Sequence, residues 1–139
     1  MTRVDFYLLK GTHAQQRLTT VCRLVHKAFG LGHRVHIHTR SQNEARALDD
    51  LLWTFKDDAF IPHGINPDDV RVPVSIGPNP PETAQVLVNL AAEVPEHFER
   101  FERVAEVVNE DPAIRDSGRT RFRHYREQGC DLHHHPLGR

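Results

Sequence analysis

The segment "RVDFYLLKGTHAQQRLTTVCRLVHKAFGLGHRVHIHT" (residues 3–39) decides the fold, because its hydrophobic period changes twice. The opening run is apolar, aromatic and β-branched, and Gly11 ends it, which predicts a strand buried within a sheet. Helical spacing follows, with a T-x-x-Q capping box at Thr12 and Gln15, and the residues "GLGH" end the helix. A second strand is predicted at 33–39. The segment is therefore a β-α-β unit.

A second helix follows this unit directly. Ser41 and Glu44 form another capping box, which predicts that a helix begins there. Its apolar residues recur at helical spacing and form one stripe: Leu48, Leu51, Leu52 and Phe55. The first half of the chain thus reads β-α-β-α.

The second half continues with strands and ends with a helix. Strands are predicted at about 71–76, 84–91 and 101–108. A last helix begins near Asp111, with Pro112 at a permitted first-turn position, and stops before Gly129. Strands that alternate with helices imply right-handed crossovers and a covered sheet. The predicted fold is an α/β three-layer sandwich, with a mostly parallel sheet and helices on both faces.

Composition predicts one cytoplasmic domain. The chain has 139 residues, of which 38% are hydrophobic and 27% charged, which suits a single core. We expect an α/β domain over 1–132 and a short histidine-containing, solvated C-terminal tail over 133–139. No apolar run approaches the ~20 residues of a membrane span, and the start lacks a secretory signal. Cys22 and Cys130 have no metal or redox spacing, so buried or semi-buried thiols are expected.

Enzymatic and metal-binding roles have weak support. The first strand-to-helix turn contains only Gly11, whereas a dinucleotide fingerprint or a P-loop needs more glycines; a nucleotide-binding α/β enzyme remains an alternative. His36 and His38 share one strand face, but spacing identifies no further zinc ligands, so they read as polar positions at a strand end. We expect no catalytic residues, no cofactor and no metal.

The chain's only tryptophan marks a possible interface. Trp53 projects about 150° from the centre of the apolar stripe of its helix, away from the core face. The following loop, "DDAFIPHG", adds Phe60, Ile61 and Pro62. Two interpretations stay open: Trp53 covers another element of the fold, or it anchors a partner protein.

The last helix carries a cationic stripe. Its members fall within an arc of about 100° on one helix face: Arg115, Arg119, Phe122, Arg123 and Arg126. The adjoining face is expected to pack inward: Ile114, Gly118 and Tyr125. Only Asp116 supplies a nearby acid. Because like charges at this spacing repel, the stripe predicts binding of an anion.

The anion is better matched by a peptide than by nucleic acid. Arginine's planar fork suits carboxylate or phosphate. The formal net charge is only -1, however, so one short stripe is a small footprint for a phosphate backbone. A short acidic peptide with a hydrophobic residue and a free carboxylate fits such a compact site. A direct nucleic-acid-binding module is the remaining alternative.

Three segments in this order resemble the chi subunit of the bacterial DNA polymerase III holoenzyme: "DFYLL", "ALDDLLWTFKDDAFIPHG" and "RFRHYREQGCDL". The resemblance implies a Rossmann-like, non-catalytic clamp-loader accessory subunit, which is a monomer or a heterodimer. It also implies a linking role. Such a subunit connects the polymerase assembly, usually through the psi subunit, to the acidic C-terminal tail of single-stranded DNA-binding protein.

The resemblance also implies site residues. The stripe on the last helix would hold the tail peptide, with Arg119 facing its terminal carboxylate, and Val108 would wall a pocket for its terminal aromatic side chain. A second set would contact psi, on a surface that an iron-sulfur helicase can also use: Trp53, Phe60, Pro62 and His63.

Overall fold

The computed structural model describes residues 1–69 and 71–137, which form seven strands, three α-helices and one 3-10 helix. The strands are β1 (Arg3–Leu9), β2 (Val35–His38), β3 (His63–Ile65), β4 (Val74–Ile76), β5 (Val86–Asn89), β6 (Arg103–Val108) and β7 (Asp131–Leu137). The helices are α1 (Ala14–Gly30), α2 (Gln42–Thr54) and α3 (Pro112–Glu127), with the 3-10 helix at Phe98–Arg100. None of these helices is both long and apolar enough to cross a membrane.

The strands form one parallel sheet in the order β3-β4-β2-β5-β6-β1-β7. Successive side chains point to opposite faces, so the sheet has two cores. Val21 of α1 and Leu48 of α2 are fully buried in one core. Tyr125 of α3 is buried with Phe6 in the other. The predicted α/β sandwich with helices on both faces is confirmed.

Two of the predicted helix starts are confirmed and one is wrong. Asp111 caps α3, accepting hydrogen bonds from the Ala113 and Ile114 N–H groups at 3.0 and 3.3 Å. Ser41 Oγ accepts from the Glu44 N–H at 3.1 Å and caps α2. The capping box predicted at Thr12 does not form. The residue before α1 is His13, whose side chain makes no capping bond, so Thr12 lies outside the helix.

The sequence patterns do not predict the two edge strands, β3 and β7. The expected solvated tail is wrong for residues 133–137, because these residues pair with β1 as part of β7. His135 Nε2 lies 2.8 Å from Asp5 Oδ1, and its ring stacks on Tyr7 at 4.8 Å. These contacts hold a polar segment against the sheet. Residues 138 and 139 lie outside the described residues.

Candidate functional site

A cavity of about 450 Å³ opens between α3, the carboxyl ends of β1 and β6, and the middle of β7. Such a place is a common ligand site in parallel α/β sheets, because the strand ends and helix starts leave a crevice there. Its lining is mainly apolar and cationic, with Asn109 and the acidic Glu110 among its members: Phe6, Leu8, Leu9, Lys10, Val108, Asn109, Glu110, Arg115, Gly118, Arg119, Phe122 and His134. The cavity thus combines an apolar wall with positive charge.

Four of the predicted peptide-binding residues meet at this cavity: Val108, Arg115, Arg119 and Phe122. The Phe122 ring packs edge-on against Phe6, with centroids 5.2 Å apart, so its position is fixed by the core. Gly118 lets α3 lie close to β6 at the cavity wall. A Cβ at that position would lie 3.0 Å from Val108 Cγ2, closer than ordinary van der Waals contact.

Arg123 and Arg126 do not line the cavity. Both are exposed on α3, and Arg123 Nη2 lies 3.5 Å from Thr120 Oγ1. The helix carries them toward the start of β7, away from the strand ends that enclose the cavity. They are therefore placed to contact only those parts of a ligand that extend outside it.

The cavity arginines are free to change partners. Arg115 Nε and Arg119 Nη1 each lie 3.8 Å from Asp116 Oδ1, and the Arg119 side chain is 69% exposed. Exposed pairs at such distances contribute little to stability, since water screens them. A carboxylate ligand can therefore bind these guanidiniums without breaking a strong internal ion pair.

The backbone N–H of the Gly11 turn, which a phosphate would need, is already hydrogen-bonded within the protein. The Gly11 N–H donates to Glu110 Oε1 at 2.6 Å, and the Gly11 carbonyl accepts from the Glu110 N–H at 2.9 Å. A phosphate at this turn would have to displace a carboxylate from the amide it needs. The geometry thus disfavours the nucleotide-binding alternative.

A second surface surrounds Trp53, at the β3 edge of the sheet. Trp53 is 47% exposed and Phe60 71%, and their ring centroids lie 5.6 Å apart. Pro62 is half-buried beside them. We call Trp53, Phe60 and Pro62 the tryptophan surface. Trp53 does not cover another element completely, so its apolar ring remains available for a partner.

His63 supports the tryptophan surface from below. Its side chain is fully buried, and its ring lies 4.3 Å from that of Trp53. Nδ1 lies 2.6 Å from the Ile61 carbonyl, and Nε2 lies 3.0 Å from the Asp49 carbonyl. In this arrangement the imidazole positions the loop and the tryptophan ring, and it offers no free atom to a partner.

A family model described as "DNA polymerase III chi subunit, HolC" matches residues 1–133. The chain belongs to the DNA polymerase III chi subunit family. It is 43% identical to the DNA polymerase III subunit chi of Pseudomonas aeruginosa, covering 100% of this chain and 99% of the relative. It is 26% identical to the chi subunit of Escherichia coli, covering 95% and 96%. The family resemblance seen in the sequence is confirmed, and the chain is a replication subunit.

The fold also occurs outside the chi family. A crystal structure of T4 UvsW matches 98% of this chain with a TM-score of 0.69 and 8% sequence identity. The chain spans only 41% of that protein. At this identity the likeness concerns the fold alone.

Sequence reasoning missed a buried ion pair beneath α3 of this chi-family chain. Arg121 is 2% exposed, and its Nε donates to Glu106 Oε1 at 3.0 Å. The Tyr125 hydroxyl and Asn89 Nδ2 donate to Glu106 Oε2 at 2.7 and 3.0 Å. Burial raises the pKa of Glu106, and the Arg121 guanidinium opposes that rise. The network fixes α3 on the sheet. Helical spacing could have predicted that Arg121 points inward, because it lies about 40° around the helix from Tyr125, which was expected to face the core.

His36 is held inside the protein by hydrogen bonds, and both thiols are at least partly buried. His36 Nε2 donates to the Gly77 carbonyl at 2.7 Å, while Nδ1 lies 2.6 Å from Ser75 Oγ, and burial lowers the His36 pKa to about 4. Within residues 1–69 and 71–137 no three His, Cys, Asp or Glu residues are arranged to hold a metal ion. Cys22 is buried and Cys130 half-buried, which confirms the predicted state of both thiols.

Proposed function

We propose that the protein is a non-catalytic adaptor of the replication machinery. In this proposal the cavity beside α3 binds the acidic C-terminal tail of single-stranded DNA-binding protein, and the tryptophan surface binds psi or an equivalent partner. The protein works in the cytoplasm as a monomer or heterodimer, without cofactor or metal. The observation that carries the proposal is the meeting of Val108, Arg119 and Phe122 around one cavity.

The cavity matches the end of such a peptide chemically. Val108, Phe6 and Phe122 supply an apolar wall for an aromatic side chain. Arg119 stands at the same cavity with an exposed guanidinium, and a planar fork can bind a terminal carboxylate through two parallel hydrogen bonds. The volume of about 450 Å³ lies in the range of small-ligand sites. A short C-terminal segment is therefore a suitable occupant.

Charge distribution favours a peptide over a nucleic acid. Glu110 forms part of the cavity wall, and Arg123 and Arg126 lie outside it, so no continuous basic groove exists among the described residues of this site. The formal net charge of -1 gives no general attraction to a phosphate backbone. In this proposal, recognition depends on binding of the peptide's C-terminal residue in the cavity rather than on an extended basic surface.

The positions of the two surfaces suit an adaptor. The cavity uses β1, β6 and β7 at one edge of the sheet, whereas Trp53 packs on His63 of β3 at the opposite edge. Five strand spacings separate β1 from β3, which is about 24 Å at ~4.8 Å per strand. A peptide in the cavity and a partner on the tryptophan surface can therefore bind at the same time.

Calorimetric titration with three ligands tests the proposal. The ligands are an acidic peptide ending in Pro-Phe with a free carboxylate, a single-stranded oligonucleotide, and ATP. We expect binding of the peptide alone, and its loss in Arg119→Ala. Binding of ATP would support the enzyme alternative, and tighter binding of the oligonucleotide would support the nucleic-acid module.

A further inference from the structure

Two buried side-chain nitrogens of the described residues have no hydrogen-bond partner: Asn109 Nδ2 and Arg121 Nη2. Asn109 belongs to the wall of the cavity beside α3, and Arg121 lies behind that wall. Asn109 lines the cavity directly, and Arg121 Nη2 lies 3.7 Å from the place of a Cβ on Gly118, which also lines it. Native proteins satisfy most buried donors, because an unpaired donor loses its bonds to water. The unpaired Asn109 donor in the cavity wall indicates a ligand that brings an acceptor.

The orientation of the Asn109 amide follows from its neighbour. Asn109 is 3% exposed, and its Oδ1 accepts a hydrogen bond from the Asp111 N–H at 3.0 Å. Rotating the amide would place its NH₂ group against this N–H donor, so the network determines which end is Nδ2. The turn between β6 and α3 therefore fixes the oxygen and leaves the NH₂ group free to donate.

We propose that Asn109 is a further peptide-binding residue, which donates from Nδ2 to the terminal carboxylate of the acidic peptide. This inference rests on the proposed function. A carboxylate offers about four lone-pair positions, and a bidentate contact with Arg119 uses two of them. Asn109 takes another, and the Arg121 guanidinium behind Gly118 adds positive charge at the same end of the cavity. The carboxylate is thus held from the helix and from the strand end.

The substitution Asn109→Asp tests whether the NH₂ group has a role. An aspartate would also accept from the Asp111 N–H and would retain the turn. Asn109→Asp therefore keeps the structural bond and replaces the donor by an acceptor. Because the substitution also adds a charge, Ala113→Asp serves as the control: it adds an acid at an exposed first-turn position of α3 and leaves Asn109 intact.

The first experiment measures calorimetric affinity of the full chain for a synthetic acidic peptide ending in phenylalanine. We expect Asn109→Asp to weaken binding by about tenfold or more, and Ala113→Asp by about twofold. The melting temperature should change little in Ala113→Asp and should fall in Asn109→Asp, because that substitution buries an unpaired carboxylate oxygen. Both affinities are therefore measured at a temperature at which each variant is folded. Amidation of the peptide terminus should cost the wild type more than it costs Asn109→Asp, because both changes remove the same contact.

A second measurement needs no variant. In ¹⁵N-labelled wild-type protein, the side-chain NH₂ signals of Asn109 should shift on saturation with the free-carboxylate peptide, and less with the amidated peptide. Unmoved signals, or wild-type affinity in Asn109→Asp while Arg119→Ala loses binding, would overturn the inference and leave the proposed function standing. Failure of the wild type to bind the peptide would overturn both.

Discussion

The two faces of α3 use the same residue type for opposite purposes. Arg121 points inward, is 2% exposed and is bonded to Glu106. Arg119, two positions earlier, points outward; its side chain is 69% exposed, and its Nη1 lies 3.8 Å from Asp116 Oδ1. The inward arginine joins the helix to the sheet, whereas the outward one is free to bind. A run of arginines in a sequence therefore has no single meaning until its helical phase is known.

The largest expected effect lies on the inward face. Arg121→Ala leaves the Glu106 carboxylate buried without its partner, and we expect the free energy of unfolding to fall by about 3–5 kcal/mol. Arg119→Ala should change it by less than about 0.5 kcal/mol. Urea denaturation of both variants measures the difference. An equal loss of unfolding free energy in the two variants would contradict the distinction between a structural inward face and a binding outward face.

The same contrast between buried and exposed groups predicts a pH dependence. Burial lowers the His36 pKa from 6.5 to about 4, so the unfolded chain takes up a proton between these pH values and the folded chain does not. Stability should therefore fall as pH drops from 6.5 to 4, by about 3 kcal/mol from this group. Denaturation of the wild type and His36→Gln across this range checks it. If the stability of His36→Gln falls with pH as steeply as that of the wild type, the pH dependence does not come from His36.

The tryptophan surface should lose binding rather than stability on truncation. Trp53 is 47% exposed, so Trp53→Ala should destabilise the fold by clearly less than the roughly 3–5 kcal/mol typical of a core aromatic. Binding of psi, or of the partner that replaces it, should weaken by about 2 kcal/mol or more. Melting curves and a pull-down with psi separate the two effects. A large loss of stability with intact binding would refute the interface.

The smallest effects are expected at the outer end of the stripe. Arg123→Ala and Arg126→Ala remove exposed charges outside the cavity, so each should cost about 0.2–1 kcal/mol in peptide affinity. The loss should come mainly from slower association and a flatter salt dependence. Stopped-flow association at two salt concentrations measures both quantities. Faster dissociation would instead place these arginines at an anchored contact.

Hydrophobic periodicity predicted those parts of the molecule whose structure depends on residues close together in the sequence. The β-α-β-α order and the stripe containing Arg119 follow from side-chain spacing along one element, and the start of α3 near Asp111 follows from the position of Pro112. β7 was not predicted because its histidines are polar. They are held in the sheet by pairing with β1 and by the contacts of His135 to Asp5 and Tyr7. Tertiary contacts of that kind leave no period in the sequence.

The site was predicted only in part for the same reason. Phe122 and Val108 meet because α3 packs on β6, and Gly118 allows the close approach. The role of Asn109 in the wall depends on the turn that joins the two elements. His63 was expected at the partner surface, but its side chain is buried, and its two ring nitrogens lie 2.6 and 3.0 Å from backbone carbonyl oxygens. Spacing along the chain does not reveal which polar groups find internal partners.

The central claim is that Arg119 binds a terminal carboxylate through two hydrogen bonds. Surface plasmon resonance of the free-carboxylate peptide on wild type, Arg119→Lys and the control Arg123→Lys tests it most directly. Lysine keeps the charge but lacks the fork, so Arg119→Lys should dissociate much faster, while Arg123→Lys should behave like the wild type. Amidating the peptide should remove most of the difference between the wild type and Arg119→Lys. Equal dissociation rates for all three proteins would contradict the account and show a diffuse basic patch.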